Sequence, residues 1–213
     1  MPVISPAWRS TAFRLDRTSR PWLFLPGALT EALRTLGTFS LEPLSERRER
    51  LGMDEAWALG VRPGGPAWIR EVLMRLDGVP CVAARSVTPL PASRGVWRSL
   101  RGRGSRPLGE SLYGDPAIRR EAFTWCRPTP SDFLGVLIAR CEGDDPARER
   151  TVVPLRAPLA RRSRFLRKGE PLLVAECFLS GFWSGFAVGA AVPRLTPRWS
   201  LAERRFAGQR RTV

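Results

Sequence analysis

Alternating apolar and polar positions predict two β-hairpins in this chain. The first hairpin joins the strand Trp68–Leu76 to the strand Val79–Thr88 through an Asp-Gly pair, which is typical of a tight turn. The second joins Arg161–Arg167 to Pro171–Leu179 through a Lys-Gly pair. Because the two strands of a hairpin run in opposite directions, these elements predict antiparallel pairing.

Shorter elements are predicted around the two hairpins. We expect a short helix over Trp22–Gly37, where four apolar side chains share one face and the final glycine suits a C-terminal cap. The remaining predictions are a strand at Thr38–Leu44, a charged helical turn at Ser45–Leu51, a basic helix at Gly95–Arg103, a helix that starts within Ser105–Gly109, and a helix or strand at Phe133–Arg140.

The ends of the chain and one internal segment lack this regularity. We expect residues 1–21 to be a loosely held N-terminal arm, residues 22–180 to form the domain with an insertion at about 126–158, and residues 181–213 to form an apolar segment and a basic tail. The apolar run at 177–192 is shorter than the roughly 18–20 residues that a helical membrane span needs. Peripheral membrane contact through this run and the tail stays open.

The charge balance gives a second kind of information. The 213-residue chain carries 35 basic and 20 acidic residues, a net charge of +15, and this favours an anionic partner such as nucleic acid, an acidic membrane surface or a small acid. Lys168 is the only lysine, which indicates a codon bias that replaces lysine by arginine. Because no aromatic-basic ladder or recognition motif accompanies the arginines, we expect no nucleic-acid partner.

The residues that are missing restrict the chemistry further. The chain has no histidine, and its four cysteines are scattered without a Cys-x-x-Cys pair. This argues against a metal site, a disulfide framework and any nucleophile paired with histidine, so we expect buried structural thiols. No signal segment is visible at the N-terminus, so we expect a cytoplasmic protein. An enzyme with this composition must work with carboxylates, arginines and backbone amides.

Two charges interrupt the apolar faces of the predicted hairpins. Alternation groups Arg70 with Trp68, Val72 and Met74, and it groups Glu176 with Leu172, Val174 and Phe178. A charge on an apolar face is costly unless it is paired. The two side chains could neutralise each other, or the inward face could be misassigned, and the pattern alone favours this explanation. The alternative is that both line a pocket whose ligand supplies the missing partner.

The second explanation describes a specific ligand. The planar guanidinium of Arg70 suits a small carboxylate, and Glu176 suits a hydroxyl group. Pro107-Leu108-Gly109 begins a predicted helix, where free amides also bind anions. Together these residues predict a dry cavity for a small acid that carries a hydroxyl.

The same residues carry a resemblance to a known family. Residues 67–80 (AWIREVLMRLDGVP) and 85–89 (RSVTP) resemble the chorismate pyruvate-lyases of ubiquinone biosynthesis. Pro107-Leu108-Gly109 follows at the expected distance, as do residues 161–164 (RRSR) and 169–179 (GEPLLVAECFL). The resemblance spans Trp22 to Leu179. The segment 126–158 and the chain after Leu179 have no counterpart in it.

This resemblance implies a fold, a reaction and a site. The fold is a single α+β domain, an antiparallel β-sheet with short helices covering an enclosed ligand pocket. The reaction converts chorismate to 4-hydroxybenzoate and pyruvate without metal or cofactor, and we expect a monomer. Arg70 would hold the ring carboxylate with help from the Leu108 amide, and Glu176 would lie at the ring hydroxyl and handle the proton. Leu29 stands where the family tends to place a methionine that lines the pocket.

Other functions remain possible at this point. A non-catalytic sensor for a small carboxylate would use a similar sheet domain, although such modules of transcription regulators normally follow a helix-turn-helix, and 21 residues before Trp22 are too few for one. A related enzyme could hydrolyse chorismate to a dihydroxy diene acid. An arginine-rich nucleic-acid binder ranks last, and a steep salt dependence would identify it.

Overall fold

The fold is built around one antiparallel sheet. The computed structural model describes residues 7–143 and 157–187. Its strands are β1 (Phe39–Arg50), β2 (Pro66–Leu76), β3 (Val79–Pro89), β4 (Ile118–Arg120), β5 (Thr124–Cys126), β6 (Leu159–Arg167) and β7 (Glu170–Phe178). They lie in the order β1-β2-β3-β7-β6-β4, and β5 also pairs with β6. All of these pairings are antiparallel, which confirms the predicted α+β fold class.

Short helices cover both faces of this sheet. They are α1 (Ser19–Leu23), α2 (Leu29–Leu33), α3 (Met53–Leu59), α4 (Leu90–Arg94), α5 (Gly109–Gly114), α6 (Phe133–Glu142) and α7 (Ser180–Gly185), with one 3₁₀ turn at Arg98–Leu100. The first face, which carries Val72 and Met74, packs against α1, α2, α4, α5 and α7. The second face, which carries Leu73, packs against α3 and α6.

Both predicted hairpins are confirmed. Each turn has two consecutive residues with positive φ: Asp77 (49°) with Gly78 (81°), and Lys168 (49°) with Gly169 (81°). This is the mirror-image turn whose twist matches the strands that it joins. The hairpins then meet through β3 and β7, where Ser86 pairs with Val174, so both lie side by side in the centre of the sheet.

Two predictions for the N-terminal half of the chain are wrong. Trp22–Gly37 is not one helix, because the chain breaks between α1 and α2 at a glycine, Gly27, with a φ of 88°. Ser45–Leu51 is not a helical turn, since residues up to Arg50 continue β1 and pair with β2. Its charged side chains find partners across the sheet: Arg47 contacts Glu71 at 2.8 Å. Local composition could not reveal that partner.

Smaller differences concern the other helices. The predicted basic helix at Gly95–Arg103 contains only the 3₁₀ turn, and α4 precedes it. The helix α3 was not predicted, although a left-handed glycine, Gly60, ends it with a φ of 74°. The predicted helix start is confirmed, since α5 begins at Gly109, and the segment Phe133–Arg140 is helical within α6.

The described parts of the predicted arm and insertion pack on the sheet. The backbone of Arg9 exchanges two hydrogen bonds with Trp125, each of 2.8 Å, and the Trp125 indole donates to the Thr11 carbonyl at 2.7 Å. Residues 9–11 are therefore held against β5. Helix α6 buries Leu134 and Leu137 against the second face of the sheet. The rest of the predicted insertion and the basic tail lie largely outside the described residues, and the domain boundaries stay predictions.

Candidate active site

A cavity lies on the first face of the sheet, under α2 and α5. Its lining combines apolar side chains with a few polar ones: Leu29, Thr30, Leu41, Arg70, Val72, Met74, Ala84, Ser86, Leu108, Gly109, Leu112, Tyr113, Phe123, Phe165, Val174 and Glu176. Such a lining is typical of sites for small organic ligands. Helices α2 and α5 are also linked to each other by an ion pair between Arg34 and Glu110 at 3.1 Å.

The structure brings all four sequence-predicted site residues to this cavity. Arg70 comes from β2 and Glu176 from β7, while Leu29 begins α2 and Leu108 directly precedes α5. The inward face that alternation assigned to both strands is therefore confirmed. The roles of these residues in binding or catalysis stay predictions.

Arg70 is buried, with 3% of its surface exposed. Its Nη2 atom donates to two carbonyl oxygens, those of Gly104 at 2.8 Å and Arg106 at 3.2 Å. No carboxylate among residues 7–143 and 157–187 lies within ion-pair distance of it. Burial lowers the pKa of the Arg70 guanidinium, and the charge of Glu46 opposes that change. An arginine remains a cation even so, which leaves a buried positive charge facing the cavity.

Glu176 forms its ion pair with Arg161 and not with Arg70. Its Oε2 accepts a hydrogen bond of 2.6 Å from Nε of Arg161 on the neighbouring strand. The proposed neutralisation of Glu176 by Arg70 is therefore wrong. No hydrogen bond from the described residues reaches the second oxygen, Oε1. The carboxylate thus keeps an acceptor at the cavity while its charge is already balanced.

Arg161 is a residue that the sequence reasoning missed. It is almost fully buried, and its Nη1 donates to the carbonyl oxygens of Trp22 at 3.0 Å and Leu25 at 3.3 Å. The ring of Phe123 lies 4.3 Å from its guanidinium carbon. It therefore fixes Glu176 against the segment that leads into α2. The hairpin register could have found it, because a two-residue turn at 168–169 places residue 161 opposite residue 176.

Leu108 lines the cavity directly before α5. The Leu108 carbonyl starts α5 by accepting from the amides of Ser111 and Leu112, each at 3.0 Å. Its own N–H makes no hydrogen bond within the described residues. Because α5 has only six residues, the donor here is a single amide group rather than a helix dipole.

The cysteines take no part in this site. All four are free and buried, which confirms the prediction of buried thiols. Burial raises the pKa of Cys81 to about 12 and that of Cys141 to about 11. They are therefore protonated and unreactive near neutral pH. Within the part of the chain that the structure describes, no helix is long and apolar enough to span a membrane, and no group of acidic or cysteine side chains could hold a metal ion.

Comparison with known proteins identifies the family of this chain. A family model described as chorismate lyase matches residues 8–188. The chain belongs to the chorismate lyase family. The matched range confirms the resemblance found in the two hairpins, and it also includes residues 8–21 and runs through the segment 126–158.

Two relatives extend this finding over most of the chain. A "Probable chorismate pyruvate-lyase 1" of Burkholderia pseudomallei is 48% identical over 166 residues, covering 78% of this chain and 85% of the relative. A "Probable chorismate pyruvate-lyase" of Bordetella avium is 45% identical over 181 residues, 85% of this chain and 86% of the relative.

Solved structures give a weaker likeness for this chorismate lyase family member. The ligand-binding domain of a putative GntR-family transcriptional regulator from Bordetella bronchiseptica gives a TM-score of 0.45 at 21% identity over 66% of this chain and 85% of that one. The effector domain of PhnF from Mycobacterium smegmatis gives 0.47 at 18% identity over 72% and 88%. Because both TM-scores lie below 0.5, neither structure bears on what this chain binds.

Proposed function

We propose that this chain is a chorismate pyruvate-lyase, which converts chorismate to 4-hydroxybenzoate and pyruvate. The observation that carries the proposal is the cavity with a buried cation at one position and a carboxylate at another: Arg70 faces it without an acidic partner, and Glu176 keeps one oxygen without a hydrogen bond from the described residues. Chorismate carries a ring carboxylate and a ring hydroxyl, so it matches both groups. Family membership and relatives at 45–48% identity support the same reaction.

The proposed chemistry uses only groups that the chain possesses. The bond between the ring carbon and the enolpyruvyl oxygen breaks, the ring loses one proton from the carbon that bears the hydroxyl, and the enolpyruvyl methylene gains one to give pyruvate. The ring becomes aromatic, which provides the driving force. The protein needs to orient the ether, exclude water and assist one proton transfer, and positioned dipoles can supply this.

Each site residue has a role in this proposal. Arg70 binds the ring carboxylate through its planar fork, and the free Leu108 amide adds a donor to the same group. Glu176, fixed by Arg161, accepts a hydrogen bond from the ring hydroxyl and handles the proton at the adjacent carbon. Leu29 forms part of the apolar wall that keeps water away from the ring.

Incubation of the purified protein with chorismate, without added metal or cofactor, tests the reaction. We expect equal amounts of 4-hydroxybenzoate and pyruvate by chromatography. Pyruvate with a non-aromatic dihydroxy acid would instead show hydrolysis. Unchanged chorismate in the presence of folded protein would contradict the proposal and favour a sensor of small carboxylates.

The cellular setting is also a proposal. We infer from the family resemblance that the product enters ubiquinone synthesis, and from the sequence that the protein is a cytoplasmic monomer. Size-exclusion chromatography tests whether the protein is a monomer. Cell fractionation, with and without residues 181–213, checks the compartment and any peripheral membrane contact by that segment.

A further inference from the structure

Thr30 has a buried hydroxyl without a hydrogen-bond partner in the described part of the chain. It lies on α2, lines the cavity and is 4% exposed. Its Oγ1 atom is buried and has no hydrogen-bond partner among the described residues. Thr88, which is also buried, shows the usual situation, because its hydroxyl donates to the Pro171 carbonyl at 2.6 Å. Buried polar groups are normally paired, so an unpaired hydroxyl in a cavity wall indicates a missing ligand atom.

The surroundings of Thr30 show which end of the cavity it serves. A Cβ built on Gly109, the first residue of α5, would come within 3.1 Å of the Thr30 hydroxyl. The chain segment just before α5 carries the Leu108 amide and the Arg106 carbonyl that accepts from Arg70. The Thr30 hydroxyl therefore lies near the wall that carries the Leu108 amide and the carbonyl group that accepts from Arg70. A Cβ at position 109 would also come within 2.8 Å of the Ala28 Cβ, so the glycine lets α5 pack closely against the start of α2.

We propose that Thr30 is a further substrate-binding residue whose hydroxyl donates a hydrogen bond to the ligand carboxylate beside Arg70. A carboxylate has about four acceptor positions, more than the fork of Arg70 and one backbone amide can fill. A hydrogen bond to a charged acceptor is stronger than one between neutral groups. The inference rests on the proposed function, since it requires that the cavity binds a small carboxylic acid.

The substitution Thr30→Val tests this inference, because valine keeps the shape and removes only the hydroxyl. We expect the dissociation constant of 4-hydroxybenzoate, measured by calorimetry, to rise about tenfold. The Tm of the ligand-free protein should stay the same or rise, since an unpaired buried hydroxyl is removed. Thr30→Ser, which retains the hydroxyl, should bind within about twofold of the wild type.

Thr88→Val is the matched control. Its hydroxyl is paired inside the protein, so this substitution should lower the Tm and leave the dissociation constant unchanged. A structural role for Thr30 would give the same result as this control. A lowered Tm with unchanged affinity in Thr30→Val would therefore overturn the inference.

Benzoate, which lacks the ring hydroxyl, tests the location of the contact. The affinity loss in Thr30→Val should be equal for benzoate and 4-hydroxybenzoate, because both carry the carboxylate. A loss confined to 4-hydroxybenzoate would place Thr30 at the other end and overturn the inference while leaving the proposed function intact. A wild-type protein that binds neither acid and leaves chorismate unchanged would remove the proposed function itself, and the inference with it.

Discussion

Two neighbouring charges on opposite faces of the central sheet differ in the partners that the protein gives them. Arg70 and Glu71 are consecutive in β2 and point to opposite faces. The carboxylate of Glu71 accepts from three arginines, Arg47 at 2.8 Å, Arg85 at 2.6 Å and Arg140 at 2.8 Å. Among residues 7–143 and 157–187, the guanidinium of Arg70 donates only to backbone carbonyl oxygens. One charge is saturated by the protein and the other is not.

The saturated network joins distant parts of the second face. Arg85 also contacts Glu55 on α3 at 2.7 Å and lies 5.2 Å from the ring of Phe133 on α6. It thereby holds both helices on the sheet. On the first face, Arg70, Thr30 and one oxygen of Glu176 still have capacity for a partner. We infer that the second face uses its charges for stability and the first face uses them for a ligand.

The largest effect is expected where the network is broken. Glu71→Ala removes the buried carboxylate that the buried Arg85 shares with the more exposed Arg47 and Arg140, so the free energy of unfolding should fall by about 3–5 kcal/mol. Denaturant unfolding measures this loss. As a control, Glu42→Ala removes an exposed ion pair with Arg75 and should cost less than about 1 kcal/mol. Similar losses for the two variants would contradict the stabilising role of the network.

Substitution of the preceding residue, Arg70, should weaken ligand binding rather than stability. Arg70→Ala removes the cation that faces the cavity, and we expect kcat/KM for chorismate to fall on the order of 10³-fold, mainly through KM. Arg70→Lys keeps the charge without the planar fork and should recover only part of the loss. Steady-state kinetics gives both values. An unchanged KM in Arg70→Ala would show that this charge does not bind the substrate.

Glu176 should affect the rate more than the binding. Glu176→Gln keeps the size of the side chain and its contact with Arg161 but cannot take a proton, so kcat should fall on the order of 10²-fold. KM should change only a few-fold. The measurement is the same kinetic assay. A kcat equal to that of the wild type would remove the proton-handling role from this residue.

A smaller effect is expected on stability at low pH. Burial acts to raise the pKa of Glu71, but hydrogen bonds from Arg47, Arg140 and Arg85 outweigh it and hold that pKa well below its usual range. Its contribution to stability is therefore complete above the ordinary glutamate pKa of about 4.3 and is lost as the pH falls below that value toward the native pKa. The stability difference between the wild type and Glu71→Gln should shrink between pH 5 and pH 2 in urea unfolding. A constant difference over this range would contradict it.

The hairpins and their inward faces could be predicted because each rests on local signals. The Lys-Gly turn sets the register of β6 and β7 along their whole length, whereas the pairing of β2 with β3 shifts by one residue at Met74/Arg75. Alternation along β2 and β7 assigns the faces on which Arg70 and Glu176 lie. The continuation of β1 through Ser45–Arg50 could not be predicted, since Arg47 finds its partner Glu71 only across the sheet.

The candidate site shows the same division. Leu29, Arg70, Leu108 and Glu176 were predicted and lie together. Strand alternation and the family resemblance both mark Arg70 and Glu176, a predicted helix start and the resemblance mark Leu108, and the resemblance alone marks Leu29. Arg161 was missed although the hairpin register contains its pairing with Glu176. The unpaired hydroxyl of Thr30 leaves no sequence signal, since it depends on how α2 packs beside α5.

The contrast between the two faces is tested most directly by the stabilisation that a bound ligand gives. The free energy of unfolding is measured for the wild type, Arg70→Ala and Glu71→Gln, with and without 4-hydroxybenzoate. All three proteins receive the same ligand concentration, about 100 times the dissociation constant of the wild type. We predict a gain of about 2.7 kcal/mol in the wild type and in Glu71→Gln, and none in Arg70→Ala. An equal gain in Arg70→Ala would contradict the account.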